Sequence, residues 1–590
     1  MAVIPLGRSF DIGRQMWCVR PPAGFRPVPA GASVVRSLTV RTPVALYLVA
    51  FAVRAFVFAL FPDPAYPDSS YYVEVAHSIA AGHGLSVPFI WVFAEVGNRI
   101  PDPAVLPIAS NAHWLPLASL LQAPFLSILG PTPVASALPG LLIGSLAAPL
   151  TWFIARDMGA RSIVAPAAAV IVAIPGAATV FMAQPETFGL TMVLVPATLW
   201  CLARGLRGDG RAFALAGLLA GVMALARNDG ILLAGTVALV WLADRWRSWR
   251  GHHGRHSWAH VEDRPPIPVL AAVLALGLFL IVVAPWWARQ LATFGSISPT
   301  SSSGAALWIR SIDEWNSVTA QPSLSTFLAQ GAGTILASRL DGLLAALRIF
   351  VVLVTSVVLL PFLLVGMLAR RHPVAVRPWF AYALVVFAGA TLLYPLHVPG
   401  GTFIHTAIGL LPYAAILSMD GLLLLVGGIA GRRRQWEEQT AGRVFVWGIV
   451  AIVVASSVVF GAPTLRSWQA QRDQRLELAA ALTNASAPAG DRILSIDPGG
   501  IAYWTGHPGV VTPNDPLETV QAVATAYGVR WLVLERDDLA AAMGPVLAGT
   551  RPAWIGPPTF TIPSADGGPP AVALFAVCVG ASAADARCRP

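Results

Sequence analysis

Long apolar runs, separated by short polar segments, fill most of the chain. A helix needs roughly 20 apolar residues to cross a bilayer. Runs at or near this length predict eleven transmembrane helices at residues 43–61, 132–155, 162–182, 187–203, 212–226, 229–243, 267–287, 344–369, 378–396, 404–430 and 444–462. The apolar stretch 115–130 contains Pro116 and Pro124, and we expect it to lie at the membrane interface. The pattern predicts a mostly α-helical, polytopic membrane protein.

Arginine is concentrated in every second connection between these runs. The amino-terminal tail, residues 1–42, contains six arginines and is too long and too late for a cleaved signal peptide. Because positive residues favour the cytoplasmic side, the tail is predicted to be cytoplasmic. The transmembrane domain then spans residues 43–462, and an odd number of helices places the carboxyl terminus outside the cytoplasm.

Three long segments fall on the outer side in this topology: residues 62–131, 288–343 and 463–590. The last has the composition of a soluble domain. Its segments "DRILSIDPG", "PGVVTPN" and "GVRWLVLERDD" are typical of short buried strands, and "PLETVQAVATAY" of a helix. We therefore expect a small extracytoplasmic α/β domain over residues 463–590. The loop 288–343 could act as a lid, although a solvated loop is the simpler interpretation.

Composition supports the membrane assignment. Of 590 residues, 56% are hydrophobic and only 12% are charged, about half the share in soluble proteins. The net charge is +9, and all 39 basic residues are arginine. We attribute the absence of lysine to codon bias and predict no nucleic-acid partner. The four cysteines, Cys18, Cys201, Cys578 and Cys588, lack zinc-site spacing, and the last two could form a disulfide or remain free thiols.

Asp68 is the most conspicuous acidic residue near a predicted membrane helix. It follows Pro67 shortly after the first apolar run and opens a helical pattern that ends at Gly82 or Gly84. Taken alone, this position is typical of a residue that caps a helix. Charged groups near membrane spans are costly to bury, so a functional role is the alternative hypothesis. Asp63 is interpreted as a turn residue.

Several motifs, in order, resemble the GT-C membrane glycosyltransferases, and more narrowly the branch with the protein mannosyltransferases and the lipid A aminoarabinose transferases. They are "AFAVRAFVFALF", "YPDSSYYVEVAHSIAAGHGL", "NAHWLPLASLLQAPF", "AQPETFGL", "LARNDGILL", "APWWARQLATFG" and "PGGTFIHTAIGLLPY". The tail segment "DPGGIAYWTGHPGVVTPND" resembles the outer domain of bacterial members. The resemblance covers nearly all of the chain after residue 43, and it implies a GT-C fold.

The resemblance implies a hexosyl- or pentosyltransferase of the cytoplasmic membrane. Such an enzyme moves a monosaccharide from a polyprenyl-phosphate carrier to a protein, lipid or envelope glycan on the outer face. It also implies that Asp68 is the general base, with inversion at the anomeric carbon. Arginine suits the leaving phosphate because its planar group binds two oxygens.

Three arginines near the outer ends of the apolar runs are candidates for the donor phosphate: Arg227, Arg289 and Arg54. Each has a structural alternative. Arg227 could simply pair with Asp229 in its turn, Arg289 could anchor the chain beside Trp286 and Trp287, and Arg54 could pair with a polar group of another helix.

Glu186, His113, His405 and His397 are the remaining candidates for contacts to acceptor, sugar or metal. Glu186 could hold a divalent cation such as Mg or Mn together with Asp68, could position the acceptor, or could be a solvated carboxylate at a helix start. Each histidine could equally be an ordinary hydrogen-bonded residue. A transporter or flippase, and a non-catalytic envelope-assembly scaffold, are the rival functions. Many transporters have two halves of similar sequence, and the two halves of this chain show no such similarity.

Overall fold

The computed structural model describes residues 36–253, 265–297, 306–369, 372–433, 436–580 and 586–588. Residues 1–35 of the predicted cytoplasmic tail and residues 298–305 of the predicted lid loop lie outside these ranges. Residues 43–590 form one compact unit. The predicted domain boundary between residues 462 and 463 stays a prediction, and a single helix, Glu438–Asn484, runs through it.

Twenty α-helices are found in the described part of the chain. In chain order, α1 to α10 are Arg36–Leu60, Pro67–Ala80, Leu117–Leu129, Pro133–Ser145, Ala147–Asp157, Val164–Ala173, Phe188–Gly205, Gly210–Ala226, Ile231–His253 and Val269–Phe294. Helices α11 to α20 are Leu324–Leu328, Ala332–Ile349, Leu360–Leu368, Pro373–Ala388, Thr402–Ile408, Leu411–Ala430, Glu438–Asn484, Pro498–Thr505, Leu517–Ala526 and Gly544–Leu547. The mostly α-helical class is confirmed.

Seven helical segments among the described residues are long and apolar enough to cross a membrane, and a bent pair makes an eighth. They include α1, α7, α10, α16 and α17, together with the joined helices Pro133–Asp157 and the segment Pro373–Leu393. The predicted count of eleven therefore stays a prediction. The run 212–226 falls in α8, which is short, and the run 229–243 falls in α9, which continues into a charged segment. The interfacial stretch 115–130 forms the 13-residue helix α3.

Two of the apolar runs are broken within their length. Val164–Ala173 and Gly176–Ala183 meet at an angle of 52°. The break falls at Pro175 and Gly176, and Gly176 has φ +56°, a left-handed conformation that glycine adopts readily. In the run 344–369, a π-helical turn at Phe350–Val354 is followed by left-handed residues at Ser356 and Val357. The second break explains why this run contains no single long helix.

Small residues let neighbouring helices approach closely. A Cβ atom at Gly217 of α8 would overlap the backbone carbonyl of Ala275 on α10, and one at Gly421 of α16 would overlap the carbonyl of Phe362 on α13. Lipid tails supply no hydrophobic drive between helices, so membrane helices rely on such close contact. These glycines therefore set the spacing of the helices around the site described below.

The carboxyl-terminal region contributes five strands to a six-stranded sheet, and three of them lie in the segments whose patterns predicted strands. Strands β1 to β4 are Ser86–Val87, Phe89–Ile90, Ile108–Ala109 and Arg492–Ser495. Strands β5 to β8 are Gly509–Val511, Val529–Glu535, Ile555–Ile562 and Val572–Val577. The sheet order is β2-β5-β4-β6-β8-β7, parallel from β2 to β6 and antiparallel beyond it. Cys578 and Cys588 form a disulfide beside it.

One strand of this sheet comes from the first long loop. Strand β2 pairs with β5 through Phe89 and Gly509, about 400 residues apart in the chain. Phe89 and Ile90 are fully buried, and Ile90 joins the core of the carboxyl-terminal sheet. The loop 62–131 and the region after residue 463 are therefore one structural unit, which neither segment's pattern reveals alone.

Candidate active site

Asp68, Glu186 and His405 meet although they come from three distant parts of the chain. One ligand-type atom from each lies within 4.8 Å of the others. His405 Nε2 lies 3.6 Å from Asp68 Oδ2, and His405 Nδ1 lies 3.5 Å from Glu186 Oε1. The Glu186 side chain is fully buried, His405 is 7% exposed and Asp68 is 21% exposed. The cluster is therefore deep, with Asp68 as its most accessible member.

Two buried glutamines fix the chain on either side of this cluster. Gln184 accepts a hydrogen bond of 2.9 Å from the Ala65 amide, three residues before Asp68. Gln122 of α3 donates one of 2.9 Å to the Pro185 carbonyl, next to Glu186. The segments that carry the two carboxylates are thus tied to each other and to α3. The sequence reasoning missed both glutamines, although each lies in a quoted motif.

The third member of the cluster is held by ring stacking. The imidazole of His405, on α15, lies 4.1 Å from the ring of Phe188 at an interplanar angle of 14°. Phe188 is the first residue of α7, two residues after Glu186. Asp68 lies in the first turn of α2, whose N-cap residue is Tyr66. Asp68 is therefore not the N-cap residue, and the side chain of Tyr66 makes no capping hydrogen bond.

Burial changes the protonation of the two carboxyl groups. It raises the pKa of Asp68 to about 6, against the opposing effect of the Arg227 guanidinium. Burial, followed by the nearby Asp68 charge, raises the pKa of Glu186 to about 8. Neither Glu186 oxygen has a hydrogen-bond partner among the described residues. The site thus brings together two carboxyl groups whose negative charge is only partly balanced by the Arg227 guanidinium.

Arg227 lies close to the cluster but is already engaged. Its Nε donates to Asp229 Oδ1 at 2.9 Å, and its Nη1 lies 3.4 Å from the Thr187 hydroxyl. Asp229 also accepts a 2.6 Å hydrogen bond from Thr406, the neighbour of His405. The pairing of Arg227 with Asp229, which the sequence offered as the structural alternative to phosphate binding, is therefore present. Asp229 and Thr406 join the site as positioning residues that the sequence reasoning had not selected.

Arg289 has unused hydrogen-bonding capacity. It is at the end of α10, where Nη2 donates to the Ser110 carbonyl at 2.8 Å. Its guanidinium lies 5.1 Å from the Trp286 ring centroid and 5.0 Å from that of Phe294. The Nη1 atom is buried and has no hydrogen-bond partner in the described part of the chain. Arg289 therefore combines the expected aromatic anchoring with a donor that is still available.

Arg54 lies inside the apolar part of α1. It is 1% exposed, and its Nη1 donates to the Ala50 carbonyl at 3.1 Å. Its Nε and Nη2 atoms have no hydrogen-bond partner among the described residues. Gly144 of α4 lies beside it, and a Cβ there would be 3.6 Å from Arg54 Nε, an ordinary contact distance. The structure does not place Arg54 in the cluster of Asp68, Glu186 and His405.

His113 and His397 form a separate aromatic group with Trp315. The Trp315 ring lies 5.2 Å from the His113 ring and 5.4 Å from the His397 ring. Burial lowers the pKa of His113 to about 3 and that of His397 to about 4, so both are neutral near pH 7. Asn228, beside Arg227, donates 2.7 Å to the His113 carbonyl and links this group to the site.

Loop 306–323 is held from two sides. Asp515 accepts hydrogen bonds of 2.8 Å from the Ser317 hydroxyl and the Val318 amide. Asn98 of the first long loop donates 2.9 Å to the Ser317 carbonyl. Trp315 therefore lies on a loop that is fastened to the carboxyl-terminal region and to residues 62–131. Asp313 and Glu314 of this loop do not join the carboxylate cluster.

The donor set of the cluster fits a divalent cation. Two carboxylates and an imidazole, with unpartnered Glu186 oxygens and an unpartnered His405 Nδ1, form a compact set of ligand atoms. Oxygen and nitrogen ligands of this kind suit Mn²⁺ or Zn²⁺ better than Mg²⁺, which prefers oxygen alone. His405 was predicted to contact the acceptor, the sugar or a metal ion. Its position beside Asp68 and Glu186 favours a contact to a metal ion.

One family model matches the chain, over residues 113–288. Its description is dolichyl-phosphate-mannose-protein mannosyltransferase. The matched segment includes Glu186 and Arg227, whereas Asp68, Arg289 and His405 lie outside it. No curated protein matches the chain by sequence.

Solved structures with similar folds belong to membrane glycosyltransferases. ArnT from Cupriavidus metallidurans, bound to undecaprenyl phosphate, has a TM-score of 0.46 and 14% identity, with 94% of this chain and 98% of that chain covered. The oligosaccharyltransferase AglB from Archaeoglobus fulgidus, in complex with an inhibitory peptide and a dolichol-phosphate, has a TM-score of 0.43 and 13% identity. The match covers 85% of this chain and 70% of that chain. The arabinofuranosyltransferase AftD from Mycobacteria has a TM-score of 0.41 and 15% identity, with 90% of this chain and 41% of that chain covered.

The matched residues 113–288 contain two whole motifs of the resemblance, "AQPETFGL" and "LARNDGILL", most of "NAHWLPLASLLQAPF" and the start of "APWWARQLATFG". The match to the mannosyltransferase family model confirms that this multi-pass membrane protein resembles the GT-C membrane glycosyltransferases.

Proposed function

We propose that the protein transfers a monosaccharide from a polyprenyl-phosphate carrier to a hydroxyl group of an acceptor, on the outer side of the cytoplasmic membrane. The observation that carries this proposal is the buried cluster of Asp68, Glu186 and His405 beside Arg227. A base, a group of acidic ligands and nearby guanidinium groups meet at the ends of apolar helices. The topology predicted from arginine placement puts this site on the side where lipid-linked sugars replace nucleotide sugars.

Asp68 is the general base of the proposed reaction. Its carboxylate removes the proton from the acceptor hydroxyl while that oxygen forms a bond to the anomeric carbon. The bond from the anomeric carbon to the phosphate oxygen breaks, and the carrier leaves as a phosphomonoester. A single displacement of this kind inverts the anomeric centre. Asp68 suits the role because it is the most exposed carboxylate of the cluster.

The leaving phosphate needs positive charge more than it needs a proton. Among the three candidate arginines, Arg289 best fits a direct contact because its Nη1 has no partner in the described residues and its side chain is only partly buried. Arg54 also has nitrogens without a partner there, but it is 1% exposed within α1. Arg227 acts through charge and position, since its hydrogen bonds go to Asp229 and Thr187. A donor that approaches Arg289 would gain a charge-assisted hydrogen bond without breaking an existing one.

A divalent cation, if bound, would be held by Asp68, Glu186 and His405. It would supply positive charge that stabilises the developing phosphate. Without such an ion, the raised pKa of Glu186 keeps that carboxyl group protonated near neutrality.

Transfer in proteoliposomes tests the proposal. The donors are a panel of radiolabelled polyprenyl-phosphate sugars, and native membrane extract supplies the acceptors. Wild type is compared with Asp68→Asn and with Asp63→Asn, in which the altered carboxylate lies at the same end of α1 but contacts Tyr503 instead. We expect Asp68→Asn to lower transfer by about 10²–10⁴-fold and Asp63→Asn to retain it.

Other outcomes separate the rival functions. Full activity of Asp68→Asn would reject Asp68 as the base. Absence of transfer from every donor, with folded protein that moves a fluorescent polyprenyl phosphate between leaflets, would favour a flippase. The two broken helical runs are the feature that favours a flippase, because discontinuous helices are common in transporters.

A further inference from the structure

A narrow pocket opens beside Glu186 on the side of α3 and α4. The pocket has space for a single water-sized group. Leu121 and Gly140 of its lining are half-buried. The lining includes Leu121 and Gln122 of α3, Ser136 and Gly140 of α4, Glu186, and Leu190 of α7.

Two buried side chains of the lining, Gln122 and Glu186, have polar atoms without a partner among the described residues. Gln122 uses its amide nitrogen on the Pro185 carbonyl, which leaves Oε1 buried without a partner in the described residues. Ser136 donates its hydroxyl proton to a carbonyl of its own helix start. Glu186 Oε1 faces His405, which leaves Oε2 unused. Gln122 and Glu186 are each 3% exposed.

This arrangement selects the chemistry of a ligand. A hydroxyl has one proton to donate and lone pairs that accept, so it can donate to Gln122 Oε1 while its oxygen faces the Glu186 carboxyl group. A phosphate would meet the acceptor Gln122 Oε1 and the Glu186 carboxyl group, with no arginine among the lining residues to balance its charge. The carrier phosphate is therefore a poor occupant, and the hydroxyl-bearing substrate is a good one.

The surroundings of the pocket indicate what kind of molecule carries the hydroxyl. Helices α3 and α4 expose four large apolar side chains to the outside: Leu120 at 45%, Ile128 at 80%, Leu129 at 51% and Val134 at 54%. In a membrane protein such a surface is covered by lipid. A ligand that reaches the pocket past these helices needs an apolar body as well as a hydroxylated head.

We propose that the pocket between α3 and α4 is the acceptor subsite and that it takes the hydroxyl of a membrane-inserted amphiphile. Gln122 and Glu186 orient this hydroxyl toward Asp68, whose nearest ligand atom lies within 4.8 Å of that of Glu186. The acceptor and the carrier phosphate then enter from different sides, at Glu186 and at Arg289. This inference rests on the proposed glycosyl transfer and adds the class of acceptor to it.

Photolabelling in nanodiscs tests the subsite without requiring turnover. The probe is a dodecyl β-D-glucoside with a diazirine in its alkyl chain, and the competitors are dodecyl β-D-glucoside and dodecyl phosphate. We expect saturable labelling of peptides from residues 117–145, reduced by the glucoside and unaffected by the phosphate. Equal competition by the phosphate, or labelling that does not saturate, would overturn the proposal.

A substitution pair adds a structural control. A Cβ at Gly140 would meet only the Gln184 carbonyl, at 3.9 Å. Gly140→Val therefore narrows the pocket, and its Cβ atom clashes with no neighbour. Gly277→Val makes the same change in the transmembrane helix α10, where a Cβ meets nothing within 4 Å. We expect probe affinity to fall by about tenfold in Gly140→Val and to stay unchanged in Gly277→Val.

The outcomes for the subsite and for the enzyme class are separate. Unchanged affinity in a folded Gly140→Val protein would reject the subsite even if sugar transfer is observed. Conversely, transfer that is absent from every donor would remove the proposed function, while specific labelling would still locate a site for hydroxylated amphiphiles.

Discussion

At the scale of single residues, the site depends on buried charges whose partners come from elsewhere in the chain. Arg227 and Asp229 form a buried pair with 7% and 12% exposed side chains. Arg289 has one hydrogen bond to a carbonyl and an unused nitrogen. We therefore expect different roles for two arginines that look equivalent in the sequence, with Arg227 mainly stabilising the fold and Arg289 mainly binding the donor.

Substitution by methionine should separate these roles. Arg227→Met leaves Asp229 buried and unpaired, so we expect a loss of about 3–5 kcal/mol in the free energy of unfolding. Arg289→Met should unfold nearly as wild type does but bind a polyprenyl phosphate about 10-fold to 100-fold more weakly. Thermal unfolding in detergent and titration with undecaprenyl phosphate measure the two effects. Equal behaviour of both variants in both measurements would contradict this division.

Glu95 provides a prediction about pH. It is 6% exposed, lies 3.4 Å from the Tyr71 hydroxyl, and its pKa is raised to about 7 by burial. Because the folded protein holds this proton more tightly than the unfolded chain, the contribution to stability is complete below about pH 4.5. It is lost as the pH rises from there to about 7, and the total change is roughly 3 kcal/mol.

Glu95→Gln removes this titration while it preserves the shape of the side chain. We expect the melting temperature of the variant, relative to wild type, to increase between pH 5 and pH 8 and to level off above that. The comparison cancels the titration of all other groups. A difference between the two proteins that is the same at every pH would show that Glu95 is not the titrating group.

At the scale of elements, close contacts between helices determine where the site residues lie. Helices α8 and α10 carry Arg227 and Arg289 near their carboxyl ends, and Gly217 lets the two helices touch. Their apolar runs can be identified from the sequence, but the pairing of α8 with α10 cannot, because many helices have similar apolar faces.

Gly217→Ala tests this contact. The added Cβ overlaps the backbone carbonyl of Ala275, so the helices must separate, and we expect a loss of about 1–3 kcal/mol in stability. Gly277→Ala is the matched control in α10, because its Cβ meets nothing within 4 Å. Thermal unfolding of the two variants in the same detergent gives the answer. An equal change in both would mean that helix propensity, and not packing, dominates.

At the scale of the whole molecule, the carboxyl-terminal sheet organises both long loops. It takes up β2 from residues 62–131, and Asp515 binds the turn at Ser317 in the loop 306–323. Tyr503 donates a 3.1 Å hydrogen bond to Asp63, just ahead of the helix that carries Asp68. The region that was predicted as an appended domain therefore supports the segments around the site.

Asp515→Ala should loosen the loop without unfolding the protein. It removes an acceptor used by Ser317, Val318 and Thr319, so we expect trypsin to cut at Arg310 at least about tenfold faster. Asp537→Ala, at an exposed position of the same region, is the control and should keep the wild-type rate. Equal cleavage of all three proteins would show that the loop is held by other contacts.

The sequence by itself determined the elements and the chemical class. Apolar runs follow directly from the requirement that a membrane helix be lipophilic, and most of them appear as helices. Short β-branched segments after residue 490 appear as strands for the same local reason. Motif order identified the resemblance that the family model confirms. Asp68 and Glu186 were selected because carboxylates near membrane helices are costly and therefore informative.

Only the tertiary structure decided which of these residues meet. His405 joins Asp68 and Glu186 over more than 200 residues of chain, and two glutamines fix their spacing, because distances through space depend on helix packing and not on local pattern. The same holds for the break at Phe350–Val354, and for the pairing of β2 with β5, which the two residues of β2 cannot show by themselves. Local sequence sets what each segment prefers, whereas the partners of buried polar groups are set by the whole fold.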